Sequence, residues 1–213
     1  RAPGETFVCG EKVLKPLLNA LKTFGSLILK PNDGAKGNGI HIIYAQNDGA
    51  QVLKSLLRRL KEPAVLQRYI NTPMLLPGGL KFDLRIYALV LRVQPRAFFI
   101  CRDGLVRVCS AKYHEQLDEI NAHLTNYSLN KKEDSFERSV DASDGTRGSK
   151  RSLQPVLEML AAQLSSRGLA AVKTSTGLNG EGSTTLAKAV AADKARRMWE
   201  QISHLVGVTL EAM

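Results

Sequence analysis

A glycine-rich segment with two lysines, residues 29–40, is the first part of the sequence whose residue types suggest chemistry. Glycines let backbone N–H groups approach phosphate oxygens closely, and the ammonium groups of Lys30 and Lys36 can neutralise phosphate charge. The segment matches neither a Walker loop, in which Gly-Lys-Ser/Thr opens a helix, nor the glycine pattern of dinucleotide-binding folds. It predicts a phosphate-binding hairpin, with an ordinary glycine-rich turn as the alternative.

Two further segments carry candidate binding groups. Lys81, Asp83 and Arg85 alternate along an apolar run, which puts them on one face of a strand. They either bind a ligand or form a structural ion pair across strands. Residues 67–70 end another predicted strand, where backbone groups can hydrogen-bond the edge of a flat heterocycle, although most strand ends have no such role.

Arg107 lies in a predicted strand within a region rich in basic residues. The planar guanidinium of arginine matches two carboxylate oxygens, so Arg107 is a candidate for binding an anion. A solvated edge strand protected by its charge is the alternative. Residues 123–128 place several hydrogen-bonding side chains together, an arrangement that helix capping or a turn also explains.

The spacing of apolar residues predicts the helices that must support these segments. Residues 13–24 fit one helix, and residues 52–60 fit a second helix that Asp48 can cap. The same periodicity recurs over residues 153–164 and 186–206. The helices therefore flank the region that carries the candidate binding groups.

Short apolar runs and alternation of apolar with polar residues predict the strands. These strands cover residues 26–30, 40–45, 64–69 and 82–93. An Asp-Gly pair at 103–104 predicts a tight turn between strands 96–101 and 105–109. The region after residue 80 is therefore expected to contain three adjacent antiparallel strands.

Two segments differ in composition from the predicted helices and strands. Residues 130–152 are rich in charged side chains and have too few apolar residues to offset the entropy of ordering the chain. Residues 168–185 contain the glycine-rich run 177–182. Both segments are therefore predicted to be flexible surface inserts.

Composition restricts the partners. The chain has 213 residues and a formal net charge of +10, which favours polyanions such as nucleotide phosphates, acidic proteins, acidic membranes or nucleic acid. The three cysteines form no C-x-x-C pair, which fits a reducing compartment better than a disulfide framework. No apolar run reaches the roughly 18 to 20 residues that span a bilayer, so no membrane association is expected.

Taken in order, these segments resemble the tubulin tyrosine ligase-like family, which is part of the ATP-grasp superfamily and has tubulin polyglutamylases among its members. The resemblance extends over about residues 24–155. It depends on seven matching stretches: Lys30-Pro31, residues 36–40, 67–70, 81–87 and 104–107, Lys112-Tyr113, and residues 123–131. Each stretch is a weak signal alone, whereas the ordered set is highly specific.

The resemblance implies an α+β, ATP-grasp-like fold of antiparallel sheets with flanking helices. It divides the chain into an N-terminal part, residues 1–70, with the phosphate-loop hairpin and adenine hinge, and a second part, residues 71–213, with both inserts. The family's acidic metal ligands match a segment that would follow Met213, so we expect the sequence to be incomplete for catalysis. The phosphate loop also departs from the serine and arginine that members often carry.

The resemblance also implies the activity, in which ATP activates a carboxylate as an acyl phosphate and the amine of a free amino acid then attacks it. The implied nucleotide-binding residues are Lys30, Lys36, Gly37, Gln67, Arg68, Tyr69, Ile70, Lys81, Phe82, Asp83, Thr125 and Asn126. The implied residues for a free glutamate are Arg107, Tyr127, Ser128 and Lys150. Of these residues, Arg107, Lys150 and Lys81 are expected to be catalytic. Mg²⁺ is expected to accompany ATP, and no protein metal ligand is assigned.

The expected protein is a monomeric ligase that adds glutamate to the acidic tails of tubulin and works on microtubules in the cytoplasm, or at the base of a cilium. A glycine or tyrosine ligase is the alternative within the class. A catalytically inactive microtubule-binding protein is the alternative of another class. Nucleic-acid binding is disfavoured, because the basic strands lack the aromatic side chains on which single strands stack.

Overall fold

The computed structural model of the chain describes residues 6–9, 14–46, 48–115, 119–131, 136, 145–176 and 181–212. These residues form two four-stranded antiparallel sheets with flanking helices. The predicted α+β class is therefore confirmed. Across the ranges that the structure describes, no helix combines the length and the apolar character needed to cross a membrane.

Both sheets take their strands from neighbouring parts of the chain. The helices are α1 (Leu14–Phe24), α2 (Gly49–Arg59), α3 (Ile120–His123), α4 (Tyr127–Asn130), α5 (Leu153–Thr176) and α6 (Glu181–Glu211). The strands are β1 (Thr6–Cys9), β2 (Ser26–Pro31), β3 (His41–Tyr44), β4 (Ala64–Arg68), β5 (Leu75–Leu76), β6 (Leu80–Arg92), β7 (Ala97–Lys112) and β8 (Lys150–Ser152). The first sheet has the order β1-β4-β2-β3, and the second has the order β5-β6-β7-β8.

One face of the first sheet is covered by α1 and α2. Leu17 and Leu21 of α1 are buried against Leu27 and Leu29 of β2 and Leu66 of β4. Leu27 and Leu29 share a face because side chains alternate along a strand. Burial of each leucine contributes roughly 1.5–3 kcal/mol, so this core holds β2 and its neighbour β4 in register.

The opposite face of the first sheet turns toward the second half of the chain. Ile28, between the two core leucines of β2, forms a separate buried cluster with Tyr44, Tyr69 and Leu124. Tyr69 follows β4, and Leu124 follows α3. This cluster joins the first sheet to the segment after β7.

The second sheet is covered on one face by α5 and α6. Val106 and Val108 of β7 are buried with Leu153 and Leu157 of α5, and Trp199 of α6 packs against them. Phe82, Leu84 and Ile86 of β6 pack against the same core, as the predicted alternation requires. The other face of β6 and β7 is therefore left for polar side chains.

The turn predicted at 103–104 is wrong. β7 continues through Gly104, which pairs with Ile86, and the hairpin turn lies at residues 93–96. A Cβ at Gly104 would lie 2.5 Å from the backbone oxygen of Arg85 and 3.3 Å from a side-chain carbon of Leu153. Glycine therefore permits close packing inside the sheet here, a role that glycine also has in strands.

The second strand that pairs with β7, besides β6, also differs from the prediction. The strand pairs with β8, which lies in the segment predicted to be a flexible insert, residues 130–152. Within that segment Asn130 and Arg151 are buried, so the prediction fails for these described residues. Residues 132–135 and 137–144 lie outside the described part.

The second predicted insert, residues 168–185, is also wrong where it is described. α5 continues to Thr176 and α6 begins at Glu181, while residues 177–180 lie outside the description. A glycine inside a helix costs only about 1 kcal/mol, and alanine and leucine on both sides favour the helix. The contact between α5 and α6 includes a 2.9 Å hydrogen bond from Lys194 Nζ to the backbone oxygen of Leu164.

The predicted cap of α2 is only partly right. Asp48 occupies the N-cap position, but its side chain makes no capping hydrogen bond, and its φ is 58°. A left-handed backbone at this position aims the side chain away from the helix N–H groups that an extended cap residue reaches. Backbone hydrogen bonds from Gln51 and Val52 to the Asp48 oxygen begin the helix instead.

Candidate functional site

The candidate site lies between the two sheets, and its first basic group comes from β2. Lys30 Nζ donates a 2.8 Å hydrogen bond to Oε1 of Gln67, which lies on the neighbouring strand β4. Ile28, two residues before Lys30, is the direct partner of Gln67 in the antiparallel register. Pairing of β2 with β4 thus brings together two predicted nucleotide-binding residues that are 37 positions apart in the chain.

Lys81, at the beginning of β6, brings a second ammonium group to this place. Its Nζ donates a 2.9 Å hydrogen bond to Tyr69 Oη and lies 4.8 Å from the centre of the Tyr69 ring. Burial lowers the pKa of Lys81, and the charge of Lys30 lowers it further, while Cys109 and Asp83 act in the opposite direction. An anion between Lys30 and Lys81 would relieve the repulsion between them.

Three charged side chains form a row across the second sheet. Asp83 on β6 pairs with Arg107 on β7, and Arg107 pairs with Lys150 on β8. Direct cross-strand partners lie on the same face of a sheet. The sequence predicted these residues separately, whereas the register aligns them.

Asp83 is held by two neighbours. Arg107 donates from Nε to Asp83 Oδ1 at 2.9 Å and from Nη2 to Asp83 Oδ2. The hydroxyl of Thr125 donates to Oδ2 at 2.7 Å. The hydrogen bond with Asp83 raises the pKa of Arg107, which therefore remains charged. The cross-strand ion pair that was the alternative interpretation of Asp83 thus exists, with Arg107 as the partner.

The glycine-rich loop lies against α4. Ser128 Oγ donates a 2.8 Å hydrogen bond to the backbone oxygen of Lys36. Gly37 has a φ of +89°, and a Cβ there would lie 2.7 Å from Leu129 Cδ1 and 3.2 Å from Asn126 Cγ. Glycine at position 37 therefore allows the loop to contact the segment that carries Asn126 and Ser128.

Asn130 fixes this segment to β7. It is 1% exposed, and its Oδ1 accepts hydrogen bonds from both the backbone N–H and the hydroxyl of Ser110, each at 2.8 Å. Its Nδ2 donates to the backbone oxygens of Leu124 at 2.7 Å and Asn126 at 3.0 Å. The amide thus closes residues 124–130 around itself and positions Thr125 next to Asp83.

The end of the row near β8 combines a cation with an aromatic ring. Lys150 Nζ lies 4.0 Å from the centre of the Tyr127 ring, a favourable cation–π distance. Phe136 packs edge-on against the same ring, with the two ring centres 5.5 Å apart. Lys150, Tyr127 and Arg107 therefore face one region, and their binding of a free amino acid stays a prediction.

Three predicted nucleotide-binding side chains point elsewhere. Phe82 packs into the core beneath α5 and α6, on the opposite face from Asp83. Arg68 lies over the ring of Phe24 at 5.4 Å from its centre. Ile70 is 65% exposed. For Arg68 and Ile70 the prediction concerned backbone groups at the end of β4, so the positions of their side chains do not test it.

Sequence reasoning missed two buried members of the site. Cys109 is 2% exposed and lies on β7 two positions after Arg107, so strand alternation could have found it. Burial raises the pKa of its thiol to about 12. His123 is also 2% exposed, and its Nδ1 lies 2.9 Å from Tyr69 Oη. It belongs to a motif that was singled out, but no sequence signal pairs it with a tyrosine 54 positions away.

The described residues contain no group of three or more histidine, cysteine, aspartate or glutamate side chains suited to hold a metal ion. Asp83, the carboxylate in the row, already accepts three hydrogen bonds from Arg107 and Thr125. The described donor set therefore does not fit a metal site made of protein ligands alone.

Most of the chain is similar to known proteins. Residues 7–175 match the family model described as the tubulin-tyrosine ligase family. Tubulin polyglutamylase ttll-11 of Caenorhabditis elegans is 38% identical over 153 residues, which cover 70% of this chain and 20% of that protein. Tubulin polyglutamylase TTLL11 of Mus musculus is 39% identical over 148 residues, with coverages of 68% and 19%. Tubulin polyglutamylase TTLL7 of Xenopus tropicalis is 40% identical over 145 residues, with coverages of 66% and 14%.

The chain thus spans between 14% and 20% of the length of these curated relatives. The family match includes β2, β4, β6, β7 and β8, and with them every residue of the candidate site. α6 lies beyond the matched residues.

Proposed function

This chain belongs to the tubulin-tyrosine ligase family, and on that premise we propose that the protein is an ATP-dependent ligase that adds glutamate to tubulin. The acceptor would be the side-chain carboxylate of a glutamate in an acidic C-terminal tail of tubulin. The names of the relatives, which are tubulin polyglutamylases, support this choice of amino acid and acceptor. The net charge of +10 suits an acidic polypeptide partner.

The observation that carries the proposal is the convergence of cations on the face between the two sheets. Lys30 and Lys81 form one pair of cations, and Arg107 and Lys150 form another on adjacent strands. ATP and glutamate are both anions, so a site that binds both of them needs two such clusters. Asp83 lies between the clusters and orders the second one through Arg107.

We propose that ATP takes the first cluster. Its phosphates would contact Lys30, Lys81 and the loop of Lys36 and Gly37, while the adenine edge would meet the backbone of residues 67–70. The loop is already supported by Ser128, so part of the order that a phosphate needs exists before binding. Asn126 lies beside the loop and would face the triphosphate.

The free glutamate would take the second cluster, formed by Arg107, Lys150, Tyr127 and Ser128. The Nε–H and one Nη2–H of Arg107 are engaged by Asp83, so both N–H groups of Nη1 and the second one of Nη2 would be available to a glutamate carboxylate. Lys150 would supply a second cation. Glycine and tyrosine lack the side-chain carboxylate that such a pair of cations favours.

The proposed reaction has two steps. The acceptor carboxylate attacks the γ-phosphorus of ATP, ADP leaves, and an acyl phosphate forms. The amine of the free glutamate then attacks the acyl carbon, phosphate leaves, and an isopeptide bond forms with loss of one proton from the amine. The residues of this chain would contribute alignment and stabilisation of negative charge, and no side-chain nucleophile is needed.

Mg²⁺ would accompany the nucleotide, because it usually keeps several waters and binds phosphates together with only one or two carboxylates. It would neutralise phosphate charge. No residue of this chain is assigned to it as a ligand. We also propose that residues 1–70 and 71–213 form the two parts of the nucleotide cleft, and that the protein acts as a monomer on cytoplasmic or ciliary microtubules.

The test uses the full-length protein with purified tubulin, ATP and one radiolabelled amino acid at a time. We expect label from glutamate, and none from glycine or tyrosine, to appear in tubulin. Lys30→Ala should abolish incorporation, whereas Lys22→Ala, an exposed lysine on α1, should not. Incorporation of glycine or tyrosine instead would replace the proposed amino acid, and microtubule binding without any incorporation would indicate an inactive binding protein.

A further inference from the structure

A chain of hydrogen bonds leads from Lys81 into the protein interior. Lys81 Nζ donates to Tyr69 Oη at 2.9 Å, and Tyr69 Oη lies 2.9 Å from Nδ1 of His123. Tyr69 is 5% exposed and His123 is 2% exposed. The three residues come from the start of β6, the end of β4 and α3, so only the tertiary fold assembles them.

The chemistry of the three groups gives this chain a direction. A lysine ammonium can only donate, so Tyr69 is the acceptor of the first bond. The single proton of the tyrosine is then available for an acceptor. A neutral imidazole with an unprotonated Nδ1 offers one 2.9 Å away at His123, and the hydroxyl of Tyr113 is a second, competing acceptor. Burial raises the pKa of Tyr69, so the phenol keeps this proton.

His123 is held firmly by its neighbours. Its ring packs edge-on against Tyr113 with centres 5.2 Å apart and against His114 at 5.7 Å. The hydroxyl of Tyr113 is in turn bound to the backbone oxygen of Asn71 at 2.7 Å. An imidazole fixed in this way fixes the direction of the Tyr69 hydroxyl.

We infer that His123 is a positioning residue that holds Lys81 in the conformation that receives the nucleotide phosphates, and that it acts through the hydroxyl of Tyr69. The inference rests on the proposed function, in which Lys81 binds ATP. Lysine has a flexible four-carbon stem, so its ammonium needs a fixed acceptor to occupy one place. Tyr69 is that acceptor, and His123 prevents the acceptor from rotating.

The charged and titratable groups around Lys81 show why a fixed acceptor is needed. They are Lys30 on β2, Asp83 on β6, Cys109 on β7, Tyr69 itself, and Tyr113, whose ring centre lies 5.9 Å from Lys81 Nζ. Lys30 repels the ammonium, whereas Asp83 attracts it toward the row of Arg107. The hydrogen bond to Tyr69 holds the ammonium at a defined place between these opposing forces.

The test measures the dissociation constants of the full-length protein for ATP and for adenosine by titration calorimetry. His123→Leu removes the acceptor, and His123→Asn restores one, because the Oδ1 of asparagine can take the place of Nδ1. We expect His123→Leu to weaken ATP binding about tenfold, because the Tyr69 hydroxyl that holds the Lys81 ammonium is then free to rotate, and to leave adenosine binding within about twofold. His123→Asn should recover most of the loss.

A second variant separates positioning from folding. Tyr69→Phe removes the hydroxyl and keeps the ring, and it should show the same loss for ATP. Adding His123→Leu to Tyr69→Phe should cause little further loss, because both changes break one chain of hydrogen bonds. If His123→Leu fails to fold, Tyr69→Phe and His123→Asn still provide the comparison.

Two outcomes of these measurements distinguish a failure of the proposed function from a failure of the role of His123. If the folded wild-type protein does not bind ATP, the proposed function fails. If the wild type binds ATP but His123→Leu or Tyr69→Phe binds it equally well, or loses ATP and adenosine affinity alike, the role of His123 is overturned while the proposed function stands.

Discussion

Asp83 and Arg107 lie directly opposite each other on β6 and β7, and the guanidinium of Arg107 donates two hydrogen bonds to the carboxylate of Asp83. The Arg107 side chain is 27% exposed and the Asp83 side chain is 34% exposed. The pair therefore lies where solvent is partly excluded but a small ligand can reach it. One arginine thus serves a structural pair and the proposed glutamate site at the same time.

Lysine should be a poor substitute for Arg107, although it keeps the positive charge. Lysine lacks the planar fork that binds both carboxylate oxygens, so we expect the free energy of unfolding to fall by about 1–2 kcal/mol. The KM for glutamate should rise as well. Arg107→Ala should abolish glutamate incorporation, and it should also weaken ATP binding, because Asp83 then keeps only Thr125 as a partner.

Urea unfolding and initial-rate kinetics of the full-length protein check this prediction. Arg92→Lys, an exposed arginine near the end of β6, is the matched control and should change neither quantity. Full activity of Arg107→Lys would exclude the fork from the mechanism.

Gly37→Ala should damage the phosphate loop more than the backbone angle alone explains. Gly37 and Gly78 have φ angles of +89° and +88°, but a Cβ meets Leu129 and Asn126 at Gly37 and nothing within 4 Å at Gly78. Both alanine variants should lose about 1–2 kcal/mol from the left-handed backbone. Gly37→Ala alone should also displace the loop and lower the affinity for ATP. Calorimetry with ATP compares the two, and equal affinities would contradict the contact with α4.

Asn130→Ala should be among the more destabilising changes outside the apolar cores. It leaves the backbone N–H of Ser110 and the backbone oxygen of Leu124 without their partner at a buried position. Unsatisfied buried groups cost about 1–3 kcal/mol each, so we expect the two groups together to lower the free energy of unfolding by about 2–6 kcal/mol. Urea unfolding measures it, with Asn19→Ala on the exposed side of α1 as the control. A loss as small as that of the control would mean that the four hydrogen bonds contribute little.

Cys109 should make stability depend on alkaline pH. Burial raises its pKa from 9.0 to about 12, so the unfolded chain loses the thiol proton first. Its contribution is complete below pH 9.0 and is lost as the pH rises toward 12, at no more than about 1.4 kcal/mol per pH unit. Burial lowers the pKa of Lys81. Its effect on stability therefore has the opposite sign: below its ordinary pKa of 10.5, stability rises with pH.

The comparison of Cys109→Val with Cys101→Val isolates this effect. Cys101 is exposed, so its replacement should leave the pH dependence unchanged. Urea unfolding at about pH 8 and about pH 10 should show a smaller decline for Cys109→Val than for the wild type. Equal declines in all three proteins would mean that the Cys109 thiol ionises as readily in the folded chain as in the unfolded one.

Much of the fold could be predicted from the sequence, and several of the residues predicted for the site do lie close together. α1, α2, β2, β4 and β6 lie within a few residues of the predicted segments, because each depends on the local spacing of its own apolar side chains. The alternation that puts Asp83 on the opposite face from Phe82 is local in the same way. Gly37 could be placed in a loop from the sequence because loop composition is also a local property.

The tertiary structure decided the features that depend on partners distant in sequence. Gly104 was predicted to form a turn because Asp-Gly is a turn signal, but contact with Arg85 and Leu153 makes it part of a strand. Lys150 lies in a segment with few apolar residues, yet pairing with Arg107 makes it part of a strand as well.

The same distinction applies to the site. Residue types and their order along the chain specify which side chains are available: two lysines beside a glycine loop, an aspartate, an arginine and a histidine. Only the fold decided that Arg107 binds Asp83 and that His123 reaches Tyr69. The physical reason is that residue type and spacing determine local structure over a few neighbouring residues. Hydrogen bonds and ion pairs instead join groups that strand register and packing bring together from distant parts of the chain.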